Sequence, residues 1–158
     1  MTRDEKLELL RRYYDACSNA DVDAMIGCFH PEVVHYFLAP NIGSKAVDGA
    51  EHLARYWRKV ATRIAAVWIV DRFVADGDEC VIEWSLFWTP DGADGRVLTR
   101  GAEWFVLEGD RIKEIRSYYH QLPETTELDG YPYAERGYSI DGHELSDIHE
   151  PRLEAERA

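Results

Sequence analysis

Positive charge is what this chain has least of: 18 Lys and Arg stand against 30 Asp and Glu, for a net charge of −12 in 158 residues. That balance excludes nucleic-acid binding through a basic surface. Cysteine is scarce as well. Cys17, Cys28 and Cys80 lie far apart and in no metal-ligand spacing. This argues against a zinc module or a disulfide framework and for buried, reduced thiols in a cytoplasmic protein. No apolar run reaches transmembrane length and no signal peptide is recognisable, so no membrane partner is expected. Asn-x-Ser/Thr sites, Gly-rich phosphate or dinucleotide loops and a Ser elbow are all missing. His143-Glu144-Leu145-Ser146-Asp147 has Asp where a zincin needs its second His. Neither a metal nor an organic cofactor is expected.

What the chain does have is aromatic residues, with five Trp and nine Tyr, and one long alternating stretch. Arg96 to Gln121 reads as two strands joined by a tight turn at Glu108-Gly109-Asp110. Successive strand residues point to opposite faces. Thr99, Gly101, Glu103, Phe105 and Leu107 therefore share one face with Ile115, Ser117 and Tyr119. Arg100, Ala102, Trp104, Val106 and Tyr118 share the other. Both faces carry large apolar groups, so both need cover. Helices and a pocket are expected on one face and a second copy of the chain, in a homodimer, on the other. The protein's own tail is the alternative cover.

The stretches before the hairpin are helical, then extended. Thr2 and Glu5 form a capping box ahead of an apolar repeat through Leu7, Leu10, Tyr13, Tyr14 and Cys17, predicting a helix from about Asp4 to Ser18. A short helix to about Phe29, ended by Pro31, precedes a strand from Val33 to Leu38. Asp48 and Glu51 read as a second capping box, opening a helix that ends near Arg63. Strands follow from Ala66 to Ala75 and from Glu79 to Thr89, around a hairpin turn at Asp76-Gly77-Asp78. The order predicts an α+β fold: a curled antiparallel sheet forming a cone around the N-terminal helices, over residues 1–122. Residues 123–158 carry ten acidic and three basic side chains and read as an acidic arm, partly ordered. Tyr131, Tyr133 and Tyr138 are predicted to dock near the cone's mouth, and the chain after Glu150 is predicted to be mobile.

Three polar residues stand out against apolar neighbours. His35 sits in Val33-Val34-His35-Tyr36-Phe37, where a neutral imidazole can take or give a proton near neutral pH. Glu103 is a mid-strand carboxylate facing Phe105 and Trp84, where burial raises its pKa unless a charge stands nearby. Pairing with Arg100 or Arg116 at the sheet surface is the other outcome. Tyr13 and Tyr14 point about 100° apart on their helix, so only one of them can face the cavity centre; Asp15 is expected to face solvent or to cap locally. Phe37, Trp57, Trp84, Trp88 and Phe105 would make the walls flat and apolar, with Ser117 and Tyr119 beside Glu103. Such a cavity suits a small hydrophobic molecule with one or two oxygens.

The stretches RYYDACSNADVDAMIGCFHPEVVHYF and DGAEHLARYW, with the closing hairpin, resemble the nuclear transport factor 2-like superfamily, which includes SnoaL-like polyketide cyclases, ketosteroid isomerases and scytalone dehydratase. The resemblance spans about Lys6 to Gln121 and implies the ketosteroid isomerase-like (cystatin-like) cone. It places Tyr13 where ketosteroid isomerases have their oxyanion-hole tyrosine and Glu103 where they have a protonated aspartic acid. Phe37 falls where they have the general-base aspartate, so steroid isomerisation of that type is not implied. A rearranged acid–base site of His35, Tyr13 and Glu103 is. The expected function is a cofactor-independent lyase, isomerase or cyclase acting on a small carbonyl or hydroxy compound. The alternative is a non-catalytic binding or interaction module of the same fold. Epoxide hydrolysis would need more interior carboxylates than the pattern supplies.

Overall fold

The computed structural model describes residues 1–40, 45–120, 122 and 126–141. Helix α1 (Arg3–Ser18) starts at the Thr2–Glu5 capping box, with both reciprocal bonds made. Helix α2 (Val22–Cys28) is capped by the Asp21 side chain. The chain then turns directly into strand β1 (Phe29–Tyr36). Pro31 therefore lies inside a strand rather than ending a helix. It is tolerated because the pairing of β1 is irregular between Phe29 and Val34. Helix α3 (Ala50–Ile64) follows strand β2 (Ala46–Asp48). The expected Asp48 cap is not formed. Asp48 ends β2, paired with Val34, and Gly49 at φ +85° turns the chain into α3 without a side-chain cap. The remaining strands are β3 (Val67–Asp76), β4 (Glu79–Trp88), β5 (Val97–Glu108) and β6 (Arg111–Tyr118).

The six strands form one curled, unclosed sheet in the order β2-β1-β6-β5-β4-β3. Four of the five pairings are antiparallel, and that of β1 with β6 is parallel. The parallel pair sets His35 beside Ile115, two residues from Ser117.

Inside the cone, Leu9, Leu10, Tyr13, Met25, Leu53, Trp84, Phe105, Ile112 and Ile115 are almost wholly buried. Each large side chain so buried stabilises the fold by about 1.5–3 kcal/mol before entropy is charged. Asp15, expected to face solvent or to cap locally, is buried as well, because α1 packs against both α2 and the sheet along this side. All three cysteines are free and buried. Among the described residues no helix is long and apolar enough to cross a membrane.

On the outer face, residues 126–141 lie across β5, β4 and β3. Arg100 is the centre of this contact. Its Nε bonds Glu127 at 3.0 Å, and its Nη1 bonds Ser85 Oγ at 2.5 Å and Ser139 O at 3.0 Å. Its guanidinium lies 4.1 Å from the centre of the Tyr133 ring. The tail thus covers part of the second sheet face, and Phe87 is buried, whereas Trp104 and Tyr118 stay exposed. The predicted mobile segment after Glu150 lies outside the described residues.

Candidate functional site

The strand alternation that sets Thr99, Gly101, Glu103 and Phe105 on the inner face also sets Ser117 there, because Glu103 and Ser117 are direct partners across β5 and β6. From β1, His35 points to the same interior. The result is a buried three-residue chain. The Ser117 hydroxyl donates to Glu103 Oε1 at 2.6 Å, and His35 Nε2 lies 2.5 Å from Ser117 Oγ. His35 is 0% and Glu103 3% exposed. Glu103 is not paired with Arg100 or Arg116, which both lie on the outer face.

The electrostatics follow from burial. Desolvation lifts the Glu103 carboxyl from 4.5 to about 8, partly opposed by the Ser117 bond. Desolvation lowers His35 from 6.5 to about 3. His35 Nε2 and Glu103 Oε1 are 3.7 Å apart, close enough for an ion pair, but removing two charges from water costs more than their attraction returns here. At neutral pH both groups are therefore uncharged. Ser117 has a single proton. With that proton on Glu103 Oε1, the His35 Nε2–H must be the donor to Ser117 Oγ. This leaves His35 Nδ1 as a bare acceptor and puts the carboxyl proton on Glu103 Oε2. Neither atom has a hydrogen-bond partner among the described residues.

The walls come from every layer. His35 stacks on Phe37 at 4.3 Å with the planes 8° apart and lies 5.3 Å from Trp57. Trp57 and Trp84 each bury an indole N–H without a partner among the described residues. Trp84 lies flat against Gly101: a Cβ there would fall 2.5 Å from the ring. Its edge meets Tyr119 at 4.8 Å. Tyr13 and Tyr14 are both buried, at 4.9 Å from each other and both 6.3 Å from Phe105. Burial, then Cys17 and Glu103, push the Tyr13 hydroxyl well above its usual 10. Burial, then Glu103, does the same for Tyr119. Both stay neutral donors.

Of the expected residues, His35, Glu103 and Ser117 form the chain itself. Tyr13 and Tyr119 lie close enough to feel the charge of Glu103. Phe37, Trp57, Trp84 and Phe105 surround them. Trp88 is set apart, its indole N–H donating to Thr99 Oγ1 at 2.8 Å. The bridging place of Ser117 was not legible locally, since its partners lie 14 and 82 positions away. Tyr14 likewise buries its hydroxyl without a partner among the described residues, which no local signal marks.

Comparison with known proteins gives the same frame. The SnoaL-like domain family matches residues 10–115. No curated protein matches. Among solved structures, a protein of unknown function with a cystatin-like fold from Methylobium petroleophilum PM1 is 34% identical, with 89% of this chain and 94% of that one covered and a TM-score of 0.67. A protein with a ketosteroid isomerase-like fold from Catenulispora acidiphila DSM 44928, in complex with trimethylamine, is 18% identical over 71% of this chain and 85% of its own, at 0.64. A protein from Jannaschia sp. CCS1, provisionally named a SnoaL-like polyketide cyclase, is 19% identical over 73% and 85%, at 0.63. With two thirds of its length matched by the family and a cone built as its relatives are, this chain belongs to the SnoaL-like domain family of the nuclear transport factor 2-like superfamily.

Proposed function

We propose that this protein is a cofactor-independent acid–base enzyme, a lyase, isomerase or cyclase, that moves a proton on a small, neutral, hydrophobic carbonyl or hydroxy compound. The observation that carries this reading is Ser117 bridging His35 and Glu103 at 2.5 and 2.6 Å. The three groups form a relay whose two free ends differ. His35 Nδ1 is the base and the Glu103 Oε2–H is the acid. When Nδ1 takes a proton from substrate carbon, Nε2 passes its own proton to Ser117, Ser117 passes one to Glu103 Oε1, and Oε2 gives one to the substrate. Every proton is accounted for and no residue ends charged. That matters where burial makes a charge expensive. The proton delivered by Oε2 can go to a leaving hydroxyl, as in a lyase, or to another carbon, as in an isomerase. Tyr13 and Tyr119 supply neutral donors beside the acid.

The test is deuterium incorporation next to the carbonyl when a panel of flat hydrophobic ketones is incubated in D₂O. The wild type is expected to catalyse exchange for at least one of them. His35→Ala is expected to lower that rate by about 10²–10⁴, the usual worth of a positioned proton-transfer group. Binding without any exchange would instead favour a ligand-binding module without chemistry. The trimethylamine held by the Catenulispora acidiphila neighbour supports that second reading.

A homodimer belongs to the same proposal. Trp104, Tyr118 and Tyr36 are 37%, 54% and 46% exposed on the outer face. They lie beside the part that the tail covers, and apolar surface of this kind is seldom left bare. A second copy would cover it by an isologous contact. Light scattering at micromolar concentration is expected to give twice the chain mass; a monomer mass would refute the dimer.

A further inference from the structure

The sheet opens beside the site. The ladder between β5 and β6 ends at Ala102 and Tyr118. Beyond it, the backbone of Arg100 is met by the arm instead of a strand. Thr126 Oγ1 accepts from Arg100 N at 2.7 Å and donates to Arg100 O at 3.1 Å. Between arm and sheet lies a cavity of about 140 Å³, lined among others by Trp84, Gly101, Ala102, Leu128, Tyr133 and Tyr138. Trp84 and Gly101 also belong to the inner wall, and Glu103 is the next residue along that face of β5. Between the cavity and the acid–base chain stand the Trp84 ring, Gly101, which has no side chain, and the base of the Tyr119 side chain, whose Cβ would lie 2.9 Å from a Cβ at Gly101. Its size is close to that of the roughly 150 Å³ space known to admit benzene in another protein.

The roof of this cavity is held by separable contacts. Tyr133 stacks on Arg100, and its hydroxyl accepts from Leu128 N at 2.9 Å. Tyr138 donates to Glu83 and lies under Arg72, whose guanidinium is 4.5 Å from its ring. Ser139 N bonds Asp71 Oδ1 at 2.8 Å. Arg100 pairs with both Asp71 and Glu127, and Glu83, which also lines the space, accepts the Tyr138 hydroxyl.

We propose that this cavity is the entrance vestibule of the buried site and that segment 126–139, clasped on Arg100, is its gate; as an entrance to chemistry it rests on the acid–base reading above. The site residues are too buried to meet a ligand from solvent directly. Past Ala102 and Tyr118 the β5–β6 ladder has ended, and Gly101 adds no side chain to the wall there.

The test uses acrylamide, a small neutral quencher, on the full chain. The contribution of Trp84 is isolated as the difference between parent and Trp84→Phe proteins. Tyr133→Ala, which removes the stack on Arg100 and the bond to Leu128, is expected to raise the quenching of Trp84 several-fold while the other tryptophans are unchanged. Leu128→Tyr, at an exposed position that tolerates change, is expected to narrow the vestibule and lower it without adding a tryptophan. Trp84 quenching that ignores Leu128→Tyr overturns the proposal, whatever Tyr133→Ala does to folding. So does a response only to substitutions at Phe37 or Tyr56, which would put the entrance on the helix side. Failure of deuterium exchange with the Trp84 response intact would sink the acid–base reading and leave an entrance to a binding cavity.

Discussion

Stability is expected to pass through a plateau between about pH 4.5 and 6.5 and to fall on both sides of it. The acid side belongs to His35, whose folded pKa is lowered from 6.5 to about 3. Between those values the unfolded chain binds a proton that the folded chain refuses, so stability is lost as pH falls through that window. The alkaline side belongs to Glu103, raised from 4.5 to about 8. Here the folded chain keeps a proton that the unfolded chain has released, so stability is lost as pH rises towards 8. From 4.5 to 6.5 the two slopes oppose each other and cancel. From 6.5 to 8 Glu103 acts alone, and at about 1.4 kcal/mol per pH unit the loss amounts to about 2 kcal/mol. The other groups facing the pair, Tyr13 from α1 and Tyr119 after β6, are pushed above their usual 10 and stay silent there. Glu103→Gln keeps the shape and removes the titration. Urea denaturation at pH 5, 6.5 and 8 should show the wild type level from pH 5 to 6.5 and falling to pH 8, and the variant rising by about 2 kcal/mol from pH 5 to 6.5, where His35 then acts alone, and level from there to pH 8. Parallel curves would mean that Glu103 is not the buried neutral acid.

Ser117→Ala is expected to cost more than a surface serine would, by about 2–6 kcal/mol, because it orphans two buried groups at once and each costs about 1–3 kcal/mol. His35 Nε2 loses its acceptor and Glu103 Oε1 loses its donor. The contrast that isolates this effect is the triple variant Ser117→Ala, His35→Leu, Glu103→Leu. With no polar group left to satisfy, much of the loss should be recovered, since replacing all partners by apolar groups can be nearly neutral. The same serine variant should break the relay, so deuterium exchange should fall with it. A loss below about 1 kcal/mol, within the range of an ordinary surface substitution, would show that His35 and Glu103 close their 3.7 Å gap and bond directly. Ser117 would then be dispensable to the fold, and the exchange rate would decide whether it is dispensable to the chemistry.

The parts of the fold legible in the chain were those ruled by local signals. The Thr2–Glu5 box started α1 because its two bonds span three residues. The period of two along β5 put Glu103 on the face of Phe105 and Gly101, because a strand leaves a side chain no other choice. The turns at Gly77 and Gly109 followed from residues that accept positive φ, and both glycines adopt it. Where two local signals competed, the chain alone misled. Asp48 had the chemistry of a cap, but pairing with Val34 drew it into β2. Pro31 had the look of a stop, but an irregular ladder absorbed it.

Tertiary structure decided everything that depended on register between distant strands. Residue types nominated His35 and Glu103 separately. Only the parallel pairing of β1 with β6, and the antiparallel pairing of β6 with β5, placed Ser117 between them. The neutrality of the pair was decided there too, since a pKa depends on how many layers exclude water from a group and not on its neighbours in sequence. The tail's aromatic residues carried the expectation of an arm docked near the cone's mouth. That it docks on Arg100, on the sheet face behind Trp84, depended on where β6 ends and leaves the backbone of β5 in need of a partner.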